Sequence, residues 1–183
     1  MTVVTALMLA NFLDAGFVLV FAPVFSERVY RAETGSIQLG LMQGTFGAGA
    51  LVGSILMGMV GRRLSRRWLL SGGLAIIALR WFLLAIAPPF WVLISVLALI
   101  SLAAGPINPI LSTIVYERTP SELRARILGT ARAGMWAAMP IGVLVAGGIL
   151  EVVPLEVGLV VFGVAYWVGA VGLGVRLRDR EVE

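Results

Sequence analysis

The stretch 53–80, GSILMGMVGRRLSRRWLLSGGLAIIALR, decides how the chain is read. An apolar run ends at Val60, and a basic turn follows with Arg62, Arg63, Arg66 and Arg67. A second apolar run begins at Trp68. About 20 apolar residues in a helix match the roughly 30 Å hydrocarbon core of a bilayer. Two such runs joined by a short turn satisfy their backbone hydrogen bonds internally, as lipid demands. The same pattern repeats outward, and spans are expected at about 3–25, 37–60, 68–87, 90–115, 127–150 and 157–175. The expected fold class is all-α: a polytopic membrane protein, a bundle of six transmembrane helices in one domain, 1–183.

Composition agrees. Of 183 residues, 60% are hydrophobic and 13% charged, against roughly a quarter charged in soluble domains. The mean hydropathy is +1.00. A water-soluble fold could not hide this much apolar surface, so the first partner is the lipid bilayer. Cysteine and histidine are absent. That removes disulfides, thiol chemistry, the commonest metal ligand and the commonest general base. Carboxylates are not clustered and no nucleophile stands beside a base, so the chain reads as no enzyme, with no metal and no cofactor. The net charge is +4 and all 14 basic residues are arginine. All but Arg80 and Arg132 flank the spans, most of them in connections expected to be cytoplasmic loops rather than a nucleic-acid surface.

Their distribution orients the chain. Arg62, Arg63, Arg66 and Arg67 follow the second span, Arg118, Arg124 and Arg126 the fourth, and Arg176, Arg178 and Arg180 the sixth. The opposite loops hold Arg28 and Arg31. The bias places both termini in the cytoplasm of a cell whose inner membrane holds the protein. The first span lacks a basic leader region and carries Asp14 mid-way, unlike a signal peptide. The arginine-free N-terminus is unusual for a first helix, an expectation that further chain precedes it.

Asp14 lies near the middle of the first span, with Asn11 one turn earlier on the same face. A carboxylate at that depth costs on the order of 3 kcal/mol or more, so it faces a cavity or a partner. It reads as a group for proton or substrate coupling, as half of a structural ion pair, or as a carboxyl that is simply protonated and hydrogen-bonded. Arg80, inside the third span, needs water, a headgroup or a carboxylate. Pairing with Asp14 fits by depth, and snorkelling to outer headgroups fits equally. Arg132 lies a turn inside the fifth span, placed for snorkelling or for a cytoplasmic-side contact to anionic substrate or to a gating carboxylate. Gln43 and Asn108 are uncharged polar groups at membrane depth. Such groups join helices or, as assigned to Gln43, line a cavity.

Gly40/Gly44 and Gly49/Gly53 in the second span, and Gly134, Ala138, Gly142 and Ala146 in the fifth, have small-xxx-small spacing for close helix crossings within the chain. Pro23 bends the first span, Pro106 and Pro109 interrupt the fourth, and Pro140 interrupts the fifth. Each triplet of spans has a proline-interrupted first member and a glycine-rich second. This is the pattern of a three-plus-three inverted repeat, and broken helices of this kind mark transporter sites.

Three stretches carry a resemblance. Gly58-Met-Val-Gly-Arg-Arg63-Leu-Ser-Arg66-Arg67 resembles the signature loop of the major facilitator superfamily. Gly58, Arg63 and Arg67 match its glycine and bases, while Arg62 replaces its acid and Ser65 its second glycine. Residues 117–129, ERTPSELRARILG, are similar to the loop before that family's eleventh helix, with Ala125 in place of a glycine. Residues 139–147, MPIGVLVAG, resemble the helix that follows. The order is similar to the branch of macrolide and siderophore exporters. The resemblance implies helices seven to twelve of a twelve-helix transporter and proton-driven export of a small amphipathic molecule. It also implies a second six-helix half, from the same or another chain, as partner. It would put Asp14 and Asn11 on a cavity-lining helix and Arg80 on a peripheral one. The other reading is a membrane protein that does not transport: a scaffold, a partner, or the remnant of a truncated transporter gene.

Overall fold

The computed structural model describes residues 2–30, 32–60, 65–66, 68–118 and 120–179. Its helices are α1 (Thr2–Gly16), α2 (Ala22–Tyr30), α3 (Ala32–Val60), α4 (Gly73–Ile86), α5 (Phe90–Ser101), α6 (Ile107–Arg118), α7 (Ser121–Val152) and α8 (Leu155–Asp179). Two segments are π-helical, Phe17–Phe21 between α1 and α2 and Trp68–Gly72 ahead of α4. No strand occurs among the described residues.

Among the described residues, five segments are long and apolar enough to cross a membrane: Met8–Tyr30, Gly35–Met59, Trp68–Ile86, Glu122–Val152 and Leu155–Arg176. The expected fourth span is two helices, α5 and α6, parted by a turn over 102–106 that contains Gly105 and Pro106. Proline supplies no amide hydrogen and bars the helix from running straight on. Pro140 behaves otherwise: α7 runs unbroken through it, so the interruption expected there is absent. Pro23 follows the π segment, whose wide turn leaves room for its ring against the carbonyl four residues earlier. The polar loop expected over 26–36 is largely helical, since α2 runs to Tyr30 and α3 starts at Ala32. The Ser26 hydroxyl donates to the Gly35 carbonyl across that connection.

The spans pair in a definite pattern. The heaviest packing joins the first to the fifth (α1 to α7), the third to the sixth (α4 to α8) and the second to the fourth (α3 to α5). Exchanging the first three spans with the last three carries this pattern onto itself, as a three-plus-three repeat requires. The crossings repeat it in detail. A Cβ on Gly142 would overlap the Phe12 carbonyl oxygen, and one on Gly53 would overlap that of Leu102. Gly16 faces Ala146 and Gly142, and Gly105 faces Ala50, Gly53 and Ser54. Gly105 lies 89 residues after Gly16, and Gly142 lies 89 after Gly53. Gly49 belongs to the same contact, against Ser101. Gly40 and Gly44 do not: among the described residues a Cβ on either meets nothing within 4 Å, so the close crossing expected of them is not made there. Ser54 seals the α3 crossing by donating to Gly105 O at 3.0 Å.

The core lies between α1, α4 and α8. Trp81, fully buried, meets Phe17 edge-on at 4.8 Å, Phe21 at 5.3 Å and Phe162 at 5.4 Å. The aromatic pairs favour such tilted contacts because a ring's positive edge meets a negative face. Gly163 lets α8 approach Trp81, where a Cβ would come within 2.8 Å of the tryptophan Cβ. By contrast α3 and α7 bury only 17% and 11% of their most apolar windows, against 44–50% for the other three spans.

Candidate functional site

Asp14 sits on α1, one turn before the π segment and two residues before the Gly16 crossing. The close approach of α7 there fixes the rotation of α1. Arg80 sits on α4, whose neighbour Trp81 is locked among aromatic rings, so its side chain is directed inward towards α1. Arg80 donates from Nη2 to Asp14 Oδ1, forming an ion pair. The arginine side chain is 3% exposed and the aspartate 38%. The Tyr166 hydroxyl, from α8, donates to Asp14 Oδ2 at 3.4 Å. Three helices thus converge on one carboxylate.

The guanidinium carbon lies 4.2 Å from the centroid of the Phe17 ring, 5.0 Å from that of Phe46 and 6.0 Å from that of Tyr166. These distances allow cation–π attraction, which strengthens out of water. Arg80 Nε is buried without a hydrogen-bond partner. The arginine does not snorkel to headgroups; its charge is held inside the bundle.

Asp14 opens onto a cavity of about 190 Å³. Asn11, Phe46, Asn108, Met135 and Tyr166 line it, with apolar residues of α1, α4 and the fourth span. Closed ligand pockets run roughly 300–1,000 Å³, so this one is small. Its surroundings can hold a proton on the carboxylate, hydrogen-bond a polar ligand through two amides, and pack an apolar group against Phe46 and Met135.

The residues singled out from sequence fall in three places. Asp14, Asn11 and Arg80 meet at this centre, Arg80 as the ion-pair partner behind the cavity wall. Gln43 is half-buried on α3, one turn from Phe46, and is not among the cavity-lining residues. Arg132 is exposed on α7, one turn before Met135. In the signature-like loop, Gly58 is exposed, and Arg63 and Arg67 lie outside the described residues. Arg66 forms an exposed ion pair with Glu117 at the end of α6, its Nη2 reaching Oε1 at 2.7 Å. That contact holds the Arg66 guanidinium above its ordinary pKa, chiefly through the hydrogen bond. Tyr166, Phe46 and Met135 were not legible as site residues. A tyrosine in an apolar helix reads as packing or as an interfacial anchor until its rotation is known.

An acid–arginine pair at membrane depth beside a cavity is a candidate functional site. Residues 7–183 match the Major Facilitator Superfamily. The chain belongs to that superfamily. It is 30% identical over 120 residues to the multidrug efflux pump Tap of Mycobacterium tuberculosis strain H37Rv, covering 66% of this chain and 29% of that protein. It is 25% identical over 136 residues to Tap of Mycolicibacterium fortuitum, covering 74% and 32%. It is 30% identical over 154 residues to the minor myo-inositol transporter IolF of Bacillus subtilis, covering 82% and 34%. This major facilitator chain thus spans about a third of the length of these relatives. Membership makes it an integral membrane protein of a transporter family rather than an enzyme.

Proposed function

We propose that the chain is the C-terminal, six-helix half of a proton-driven major facilitator exporter of small amphipathic compounds. The observation that carries this reading is the Asp14–Arg80–Tyr166 centre on the wall of a cavity. An ionisable group kept at membrane depth is costly and is a functional candidate for that reason. In the proposed cycle Asp14 binds a proton when the cavity opens to one side and releases it to the other. Arg80 is the resident counter-charge that favours release. Asn11 lines the path, and Gln43 joins it when the bundle moves.

The scarcely buried faces of α3 and α7 support a second six-helix half as partner, against which this one rocks. Arg66 pairing with Glu117 draws together the connections after the second and fourth spans. Tyr30 donating to Pro88 O at 3.5 Å joins those after the first and third. With the arginine bias, this supports an inner-membrane protein with both termini cytoplasmic. Arg132 then lies towards the cytoplasmic end, in contact with headgroups or with a gating carboxylate of the other half. The name of the Tap relatives favours export over uptake.

The test is proton flux in liposomes holding the full-length protein, with wild type beside Asp14→Asn. The variant is expected to lose proton-driven transport while staying folded. Undiminished proton-driven transport by the variant would sink the proposal.

A further inference from the structure

The centre already contains its own cation. Three ring faces, those of Phe17, Phe46 and Tyr166, lie 4.2, 5.0 and 6.0 Å from the Arg80 guanidinium, and Phe46 and Tyr166 also line the cavity onto which Asp14 opens. A substrate ammonium would look for the same things: a carboxylate and aromatic faces out of water. From these contacts we infer that Arg80 is a specificity-determining residue: from behind the cavity wall it already holds the carboxylate and ring faces that a cationic ligand would need, so the cavity takes uncharged molecules bearing hydroxyl or carbonyl groups and rejects monocations. This rests on the reading of the cavity as a substrate site.

The charge count around the cavity supports it. An arginine keeps its charge in proteins, so the pair is neutral with Asp14 ionised and positive with Asp14 protonated. Neither state offers a net negative charge. No other element compensates. The second span carries no charged residue over 35–59, the third carries Arg80 alone over 68–86, and α5 carries none. Tyr166 faces the carboxylate from α8, whose charged residues are Glu156 and those from Arg176 onward, at its ends. The charged groups of α2, Glu27 and Arg28, lie three turns or more beyond Asp14. Glu117 of α6 is paired with Arg66 at the bundle end. On α7, Arg132 stands one turn from the cavity-lining Met135 and adds a further positive charge; Glu122, Arg124, Arg126 and Glu151 lie towards its ends. The remaining polar groups on the cavity wall are the amides of Asn11 and Asn108, which both donate and accept hydrogen bonds and carry no charge.

The test is a matched pair of probes small enough for about 190 Å³: choline and its uncharged isostere 3,3-dimethylbutan-1-ol. Binding to the full-length protein in lipid nanodiscs is followed by saturation-transfer NMR. Wild type is expected to bind the alcohol, and choline about tenfold more weakly or worse. Arg80→Met is expected to reverse that order, and adding Asp14→Asn to remove the gain for choline. Arg80→Lys keeps the charge and is expected to keep the preference for the alcohol. Wild-type choline binding as tight as that of the alcohol, and dependent on Asp14, overturns the inference. So does failure of wild type to bind the alcohol. If Arg80→Met does not fold, the wild-type order decides alone. Proton coupling is read by flux and charge selectivity by binding, so either can fail without the other.

Discussion

Two ion pairs tie distant parts of the described chain, and they sit in different solvents. Arg66 and Glu117 meet at one end of the bundle with about half of each side chain exposed. Arg80 and Asp14 meet within the bundle, with the arginine almost wholly enclosed. The sequence separations are similar, 51 and 66 residues, and the chemistry is the same. What differs is the cost of losing a partner. At the surface, water and salt take the place of the missing charge, so the pair contributes little. Inside, water and salt replace it poorly: an arginine left alone stays charged in apolar surroundings, and a carboxylate left alone must take a proton.

That contrast can be broken at several points. The largest expected effect is for Arg80→Met, which leaves the Asp14 carboxylate without its counter-charge. A loss of about 2–3 kcal/mol is expected, because Asp14 borders the cavity and can take a proton, measured as unfolding in mixed detergent micelles. A loss under about 1 kcal/mol would make the buried pair no different from a surface one. Next comes Gly142→Leu, which drives a side chain into the Phe12 carbonyl at the α1 crossing. It is expected to cost about 1–3 kcal/mol by forcing the helices apart, and it tests whether that crossing aims Asp14. Gly44→Ala, where a Cβ meets open space, is the control, within about 0.5 kcal/mol of wild type. A smaller gain is expected from Ala87→Gly. Ala87 ends α4 with φ 48°, in the left-handed region, and glycine there should stabilise by about 1 kcal/mol. The smallest effect is expected for Arg66→Ala: no resolvable change in melting temperature, at low or high salt. A clear drop would show the surface pair to be more than a solvated contact.

The spans were legible because lipid imposes a length and an apolar composition on any helix that crosses it. The break near Gly105 and Pro106 was legible from proline chemistry, and Asp14 from the cost of a carboxylate at that depth. The partner of Arg80 was not decided by sequence. Depth allowed both Asp14 and the headgroups, and the choice depends on the rotation of α4, which Trp81 and its ring neighbours set. Tyr166 was invisible for the same reason. The π segments had no signature, because a widened turn is stabilised by packing rather than by local composition. Pro140 misled because a proline costs one amide donor without necessarily breaking a helix. Of the glycines, spacing alone could not tell Gly49 and Gly53, at a crossing, from Gly40 and Gly44, which face open space.

The most direct test of the account is a double-mutant cycle of Asp14→Asn and Arg80→Gln, read as unfolding free energy in one detergent system. If the two groups form a single charge-compensated unit, the double variant should be more stable than the sum of the single losses predicts, by about 2 kcal/mol or more. Losses that add within about 0.5 kcal/mol would contradict it, because each group would then be held by something other than its partner.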